Sequence, residues 1–151
     1  MYYTAMPTLI LKLGLYFIGI AGVIIGSMFI ILGVDSTAKI FRSILSVVYM
    51  TPALTGLENV NAESELRFYS VFWIAYGAIL IQTARDLKTH ISRVPLLLGL
   101  FFAGGLARLA AYFTSGVPHT LFVVLMIVEL VLPVILAIFW AGSKKKFTSV
   151  D

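Results

Sequence analysis

Arg108 and Glu129 each stand inside an apolar run, and they are the side chains of this chain best placed to do chemistry. A charge near the centre of a bilayer costs roughly 3 kcal/mol on insertion scales, so each one calls for a partner or a purpose. Arginine presents a fixed fork of donors to a carboxylate, phosphate or carbonyl oxygen, and a carboxylate can orient that fork or carry a proton. The neighbours suit both residues. Gly104 and Gly105 lie one turn before Arg108, where a guanidinium laid back along a helix needs room. Pro133 lies four residues after Glu129 and cannot donate to its carbonyl, which leaves an acceptor beside the carboxylate.

Other polar and aromatic residues join them. Tyr69, Trp73 and Tyr76 are offset by four and seven residues and so share one face of a helix, with Arg67 at its start. His119, next to Pro118, opens the run that contains Glu129. The candidate ligand-binding set is therefore Arg67, Tyr69, Trp73, Tyr76, Arg108, His119 and Glu129. Each has a plainer reading. Arg108 and Glu129 can be an ion pair that fixes the register of two helices. The aromatics can be a packing face or an interfacial belt. His119 can be an ordinary helix-start residue, and Arg67 can reach from the membrane surface to water.

Several chemistries are excluded. The chain has no cysteine, which rules out disulfides, thiolate metal sites and cysteine nucleophiles. There is no GxSxG, no HExxH and no glycine-rich phosphate loop. The two histidines, His90 and His119, fall on opposite sides of the membrane in the topology argued below, so no metal site is expected. No catalytic residue and no cofactor is assigned.

The elements that must hold these residues are membrane helices. Of the 151 residues 60% are hydrophobic and only 12% are charged, about half the charge of an ordinary soluble domain. Four runs are long enough to cross a hydrocarbon core of about 30 Å, at about 8–34, 66–84, 94–113 and 119–141. Lipid offers no partner to an irregular backbone, so each is expected to be a helix. The apolar stretch Leu13 to Val34 is longer than a signal-peptide core, and the first helix is expected to be retained.

The net charge of +4 is explained by topology rather than by nucleic acid. Arg85, Lys88 and Arg93 share one short loop with Asp86 as its one acidic residue, and Lys144, Lys145 and Lys146 end the last run. Both places are expected to face the cytoplasm, together with both termini. The connection between the first two runs carries Asp35, Glu58, Glu63 and Glu65 against Lys39, Arg42 and Arg67, which suits the outer side. Within it, Ile40, Phe41, Ile44, Leu45, Val47 and Val48 alternate with polar residues at helical spacing, predicting an interfacial helix over Thr37 to Met50. Asp35 or Ser36 is expected to cap it, with Pro52 beyond its end. Asn61 is expected to cap the second long helix, whose positive end Glu63 and Glu65 complement.

Small residues predict how the helices meet. Gly19, Gly22 and Gly26 line the first run, and Gly99, Ala103, Ala107 and Ala111 the third. Such stripes let backbones approach closely, and packing within the chain is the favoured expectation for both over a homodimer seam. Leu13-Gly14-Leu15-Tyr16-Phe17-Ile18-Gly19 matches Leu98-Gly99-Leu100-Phe101-Phe102-Ala103-Gly104 at five of seven positions, the trace of a possible duplicated hairpin. Helical side chains lean toward their own N-terminus. In antiparallel third and fourth helices, Arg108 then leans toward the midplane and Glu129 toward the outer end, and the two converge.

The ordered set Glu65-Leu66-Arg67-Phe68-Tyr69-Ser70-Val71-Phe72-Trp73, Gly104-Gly105-Leu106-Ala107-Arg108, Gly116-Val117-Pro118-His119 and Glu129-Leu130-Val131-Leu132-Pro133 resembles a family of small bacterial four-helix membrane proteins known only as a domain of unknown function. The resemblance implies a bacterial inner-membrane helical protein and no particular activity.

The expectation is an all-α, polytopic membrane protein: a single domain over residues 1–151, built as a four-transmembrane-helix bundle with a short interfacial helix between helices one and two. Its expected role is non-enzymatic, holding a membrane lipid or other small amphiphile, or a partner membrane subunit, in an outer-leaflet polar pocket. The alternatives are a small proton-coupled transporter in which Glu129 titrates, and an intramembrane lipid-modifying enzyme such as an isomerase with His119 or Glu129 as acid–base.

Overall fold

A computed structural model describes residues 6–46 and 59–148. Among the described residues every regular element is helical: α1 Met6–Ser46, α2 Val60–Arg85, the short α3 Leu87–His90, a 3₁₀ turn Ile91–Arg93, α4 Val94–Ser115 and α5 Thr120–Thr148. The protein is an all-α membrane protein with four long helices. Three stretches are long and apolar enough to cross a bilayer: Met6–Ile44, Leu87–Ser115 and Thr120–Lys145. Their large apolar side chains face outward, with Ile31 75%, Phe113 77% and Ile138 69% exposed, an arrangement that lipid accepts and water does not. Helix α2 has 26 residues, about 39 Å at 1.5 Å per residue, but Glu63, Glu65, Arg67 and Gln82 make it more polar than the other three.

The chain divides into two compact units, one made by the described residues of Met1–Phe17 and Leu80–Asp151, the other by Ile18–Ile79. In the first unit α4 packs along α5. Val94, Leu97, Leu98 and Gly105 are buried on α4, and Met126, Pro133, Leu136 and Ser143 on α5, each set at the spacing of a single helical stripe. The start of α1 adds Leu11 and Leu15, which are fully buried, and Pro7 approaches Gly142. The Trp140 indole N–H donates to the Ile91 carbonyl at 2.9 Å and ties α5 to the turn before α4.

In the second unit the glycine stripe of α1 meets α2, as its spacing predicts. A Cβ on Gly22 would lie 3.3 Å from the Trp73 carbonyl oxygen, and one on Gly26 would lie 2.9 Å from that of Ser70. On the facing helix, a Cβ on Gly77 would come to 2.5 Å from the Gly19 carbonyl oxygen. Lipid removes the hydrophobic drive between helices, so this backbone-to-backbone fit is itself the attraction. The stripe on α4 behaves differently. Gly99, Ala103, Ala107 and Ala111 are all exposed, and a Cβ on Gly99 would meet nothing within 4 Å. Among the described residues of its own unit no helix covers this stripe: small-residue periodicity marks a face, but it does not choose the helix that covers it. The two halves of the sequence repeat differ in the same way, since Gly14 packs against Leu136 while Gly99 stands open.

Helix α1 is broken at Gly33, whose φ of 79° and ψ of 173° are far from helical values. The residues before the break form the first apolar helix. Those after it, through Ser46, form the helix expected between the first two spans, with Lys39 on its surface paired to Asp35 at 2.7 Å. The rest of that expected segment, Val47 to Met50, and Pro52 lie outside the described residues.

Candidate functional site

Arg108 and Glu129 meet. The Arg108 Nε donates to Glu129 Oε2 at 2.8 Å, and the two side chains are 28% and 13% exposed. The guanidinium carbon also lies 5.6 Å from the centre of the Phe122 ring, within range of a cation–π contact. The local sequence makes this possible. Gly105 admits the Glu129 side chain, because a Cβ there would stand 3.0 Å from the Glu129 Cβ and from Leu130. Gly104 leaves the space beside Glu129 Oε2, 4.0 Å from where its own Cβ would be. Gly105 makes room for the Glu129 side chain, while a methyl at Gly104 would stand at ordinary contact distance from it. Among the described residues, no acceptor meets the two Nη groups of Arg108. The site is a neutral pair with one end of the arginine fork still able to donate.

His119 caps α5. Its Nδ1 accepts the Leu121 N–H at 3.2 Å, and its carbonyl accepts from Phe122 at 2.8 Å and Val123 at 3.3 Å. That is the role of a helix-start residue, and it sets Phe122 one turn inside the helix.

The remaining four candidates lie in the other unit, Ile18–Ile79. Tyr69 is 52% exposed and sits edge-on to Phe68, so it joins an outward aromatic band with Phe68 and Phe72. Trp73 is half-buried and meets Phe29 of α1 edge-on with ring centres 6.0 Å apart. Tyr76 is half-buried one turn further on.

Arg67 is engaged in a different task. Its Nε and Nη2 reach Glu63 Oε1 at 2.7 and 2.6 Å, and its Nη1 donates to the Ile30 carbonyl at 2.7 Å. Glu63 Oε2 accepts the Val34 N–H at 2.9 Å. The break at Gly33 leaves a carbonyl on one side and an amide on the other without their helical partners. One ion pair on α2 supplies both. The expected caps, Asp35 and Ser36, are replaced by Glu63, and α2 is capped by Asn59, whose side chain accepts the Asn61 N–H at 2.8 Å, rather than by Asn61.

The Val34 N–H, then the Arg67 side chain, hold the Glu63 carboxyl below its ordinary value of 4.5. A depressed carboxylate contributes stability that is present above that ordinary value and is lost as pH falls through the lower folded value. Melting temperature measured in detergent is therefore expected to stay level from pH 7 to 5 and to fall below about pH 4.5. The gap between the parent and Glu63→Gln should close over the same acidic range. A gap that stays constant down to full protonation would show that the ionised form does not hold the break. At the opposite end of α2, hydrogen bonds from the Thr89 side chain and amide lower Asp86 in the same manner and cap α3.

No curated protein and no solved structure matches the chain. A family profile matches residues 10–141, which reaches into all four long helices and takes in the Arg108–Glu129 pair and the capped break, and on that match the chain belongs to the family described as Domain of unknown function (DUF4345).

Proposed function

We propose that this protein is a bacterial inner-membrane protein of four crossings, with cytoplasmic termini, that holds the polar head of a small amphiphile at Arg108. The carrying observation is the oriented guanidinium: Glu129 fixes its Nε, Phe122 underlies its plane, and its Nη end remains able to donate. Such an end fits a carbonyl, ester or phosphate oxygen, while the surrounding apolar surface suits an acyl or prenyl body. Glu129 acts as the orienting group. Its engagement with Arg108 favours that role over carrying a proton. The orientation follows from Arg85, Lys88, Arg93 and the lysines after Ser143, which belong on the cytoplasmic side. Arg108 then lies toward the outer leaflet. A partner membrane subunit that presents the same oxygen would engage the same end of the fork.

Native mass spectrometry of the detergent-solubilised protein tests the reading. Arg108→Lys keeps the charge pair but removes the fork, and Phe122→Leu removes the ring beneath it. Each is expected to lower the occupancy of a co-purifying amphiphile about tenfold, with little change in melting temperature. A parent protein that carries no bound molecule or subunit, or an Arg108→Lys protein that keeps full occupancy, would overturn the proposal.

A further inference from the structure

A second polar feature lies at the opposite end of α4 and α5. Residues 85–93 and 140–145 bring Arg85, Lys88, Arg93, Lys144 and Lys145 to one end of the unit, all exposed, with Asp86 as the acidic residue among them. Asp86 caps α3, where its exposed side chain accepts the Thr89 N–H. Its carboxylate is thereby engaged at the start of α3.

The cluster is also built rather than merely accumulated. The Trp140–Ile91 hydrogen bond holds the 3₁₀ turn against α5, and Arg93 follows two residues later at the start of α4. The Lys144 ammonium stands 5.3 Å from the centre of the Trp140 ring. One indole therefore fixes the backbone leading to Arg93 and seats Lys144. Tryptophan prefers the headgroup level of a bilayer, and cationic side chains at that level draw anionic headgroups within about one Debye length.

We propose that this end is a docking site for the phosphate of an anionic phospholipid, with Arg93 and Lys144 as its direct contacts and Trp140 as the residue that positions them. The site is independent of Arg108, and its ligand is distinguished by charge. Zwitterionic phospholipid offers the same phosphate beside a cation, which the basic collar disfavours.

The test uses the full-length protein in mixed micelles that contain equal amounts of phosphatidylglycerol and phosphatidylcholine. Native mass spectrometry at rising collision energy then reads which lipid stays bound. The parent is expected to retain phosphatidylglycerol about fivefold over phosphatidylcholine. Arg93→Gln/Lys144→Gln/Lys145→Gln is expected to lose the preference. Trp140→Phe keeps every charge and is expected to lose at least half of it, since the hydrogen bond to Ile91 is gone. Lys39→Gln/Arg42→Gln, which removes two basic charges elsewhere, is expected to leave it unchanged. No preference in the parent would overturn the site. A Trp140→Phe protein with undiminished preference, or an equal loss in Lys39→Gln/Arg42→Gln, would reduce it to diffuse charge and overturn it as well.

Discussion

Arg108→Leu is expected to destabilise the protein by about 3 kcal/mol, because it strands a mostly buried carboxylate on α5. Glu129 is only 13% exposed, and its partner at 2.8 Å is the group that balances its charge. With arginine gone, Glu129 must take up a proton or draw in water, and either course costs free energy. Glu129→Leu strands the guanidinium instead, with a somewhat smaller loss, because Arg108 is 28% exposed and long enough to reach the membrane surface. The double change to leucine leaves no charge to satisfy and restores apolar contact between α4 and α5. Much of the loss should therefore be recovered, and replacing a whole buried pair is often neutral. Thermal or denaturant unfolding of the four proteins in one detergent gives the coupling directly. Purely additive losses would mean that the residues act apart, against the geometry.

Gly77→Ala is the second large effect, with an expected loss of about 1–3 kcal/mol from a single methyl group. That methyl would stand 2.5 Å from the Gly19 carbonyl oxygen and 3.0 Å from the Val23 amide nitrogen. Both are backbone atoms, which cannot swing aside as a side chain does. Helix α2 must move away from α1, and the contacts at Gly22 and Gly26 open with it. Gly99→Ala provides the contrast. Its methyl meets nothing within 4 Å, and alanine favours a helix over glycine by about 1 kcal/mol, so this change should stabilise slightly. Equal melting temperatures for the two variants would contradict the packing described for α1 and α2.

Much of this was legible in the residues, for definite reasons. The starts of α4 and α5 lie within one residue of the expected 94 and 119, because Pro95 and Pro118 punctuate the apolar runs. The meeting of Arg108 and Glu129 follows from two antiparallel helices and the backward lean of helical side chains. The GxxxG spacing in α1 announced close approach, and Gly77 supplied it. Other features depended on residues far away in the chain. Glu63 and Arg67 read locally as an ordinary i,i+4 surface pair, and nothing beside Gly33 says that their partners are Val34 and Ile30. Arg67 was expected among ligand-binding groups, and its donors to Glu63 and Ile30 could not be anticipated without the break. The partner of the α4 stripe was not legible for a related reason, since lipid and a neighbouring helix favour the same small, apolar face.

The capped break at Gly33 also bears on the order in which the chain is made. The groups that relieve it, Glu63 and Arg67, lie 29 residues after Val34 and 37 after Ile30. When the first hydrophobic segment emerges from the ribosome, neither has yet come out beside it. Glycine permits the turn without demanding it, and an uncapped break in or near lipid leaves backbone groups with no partner. Before α2 arrives, the favoured state of the nascent segment is an unbroken helix through Gly33. The direction taken by the residues that follow thus depends on a helix that comes later in the chain.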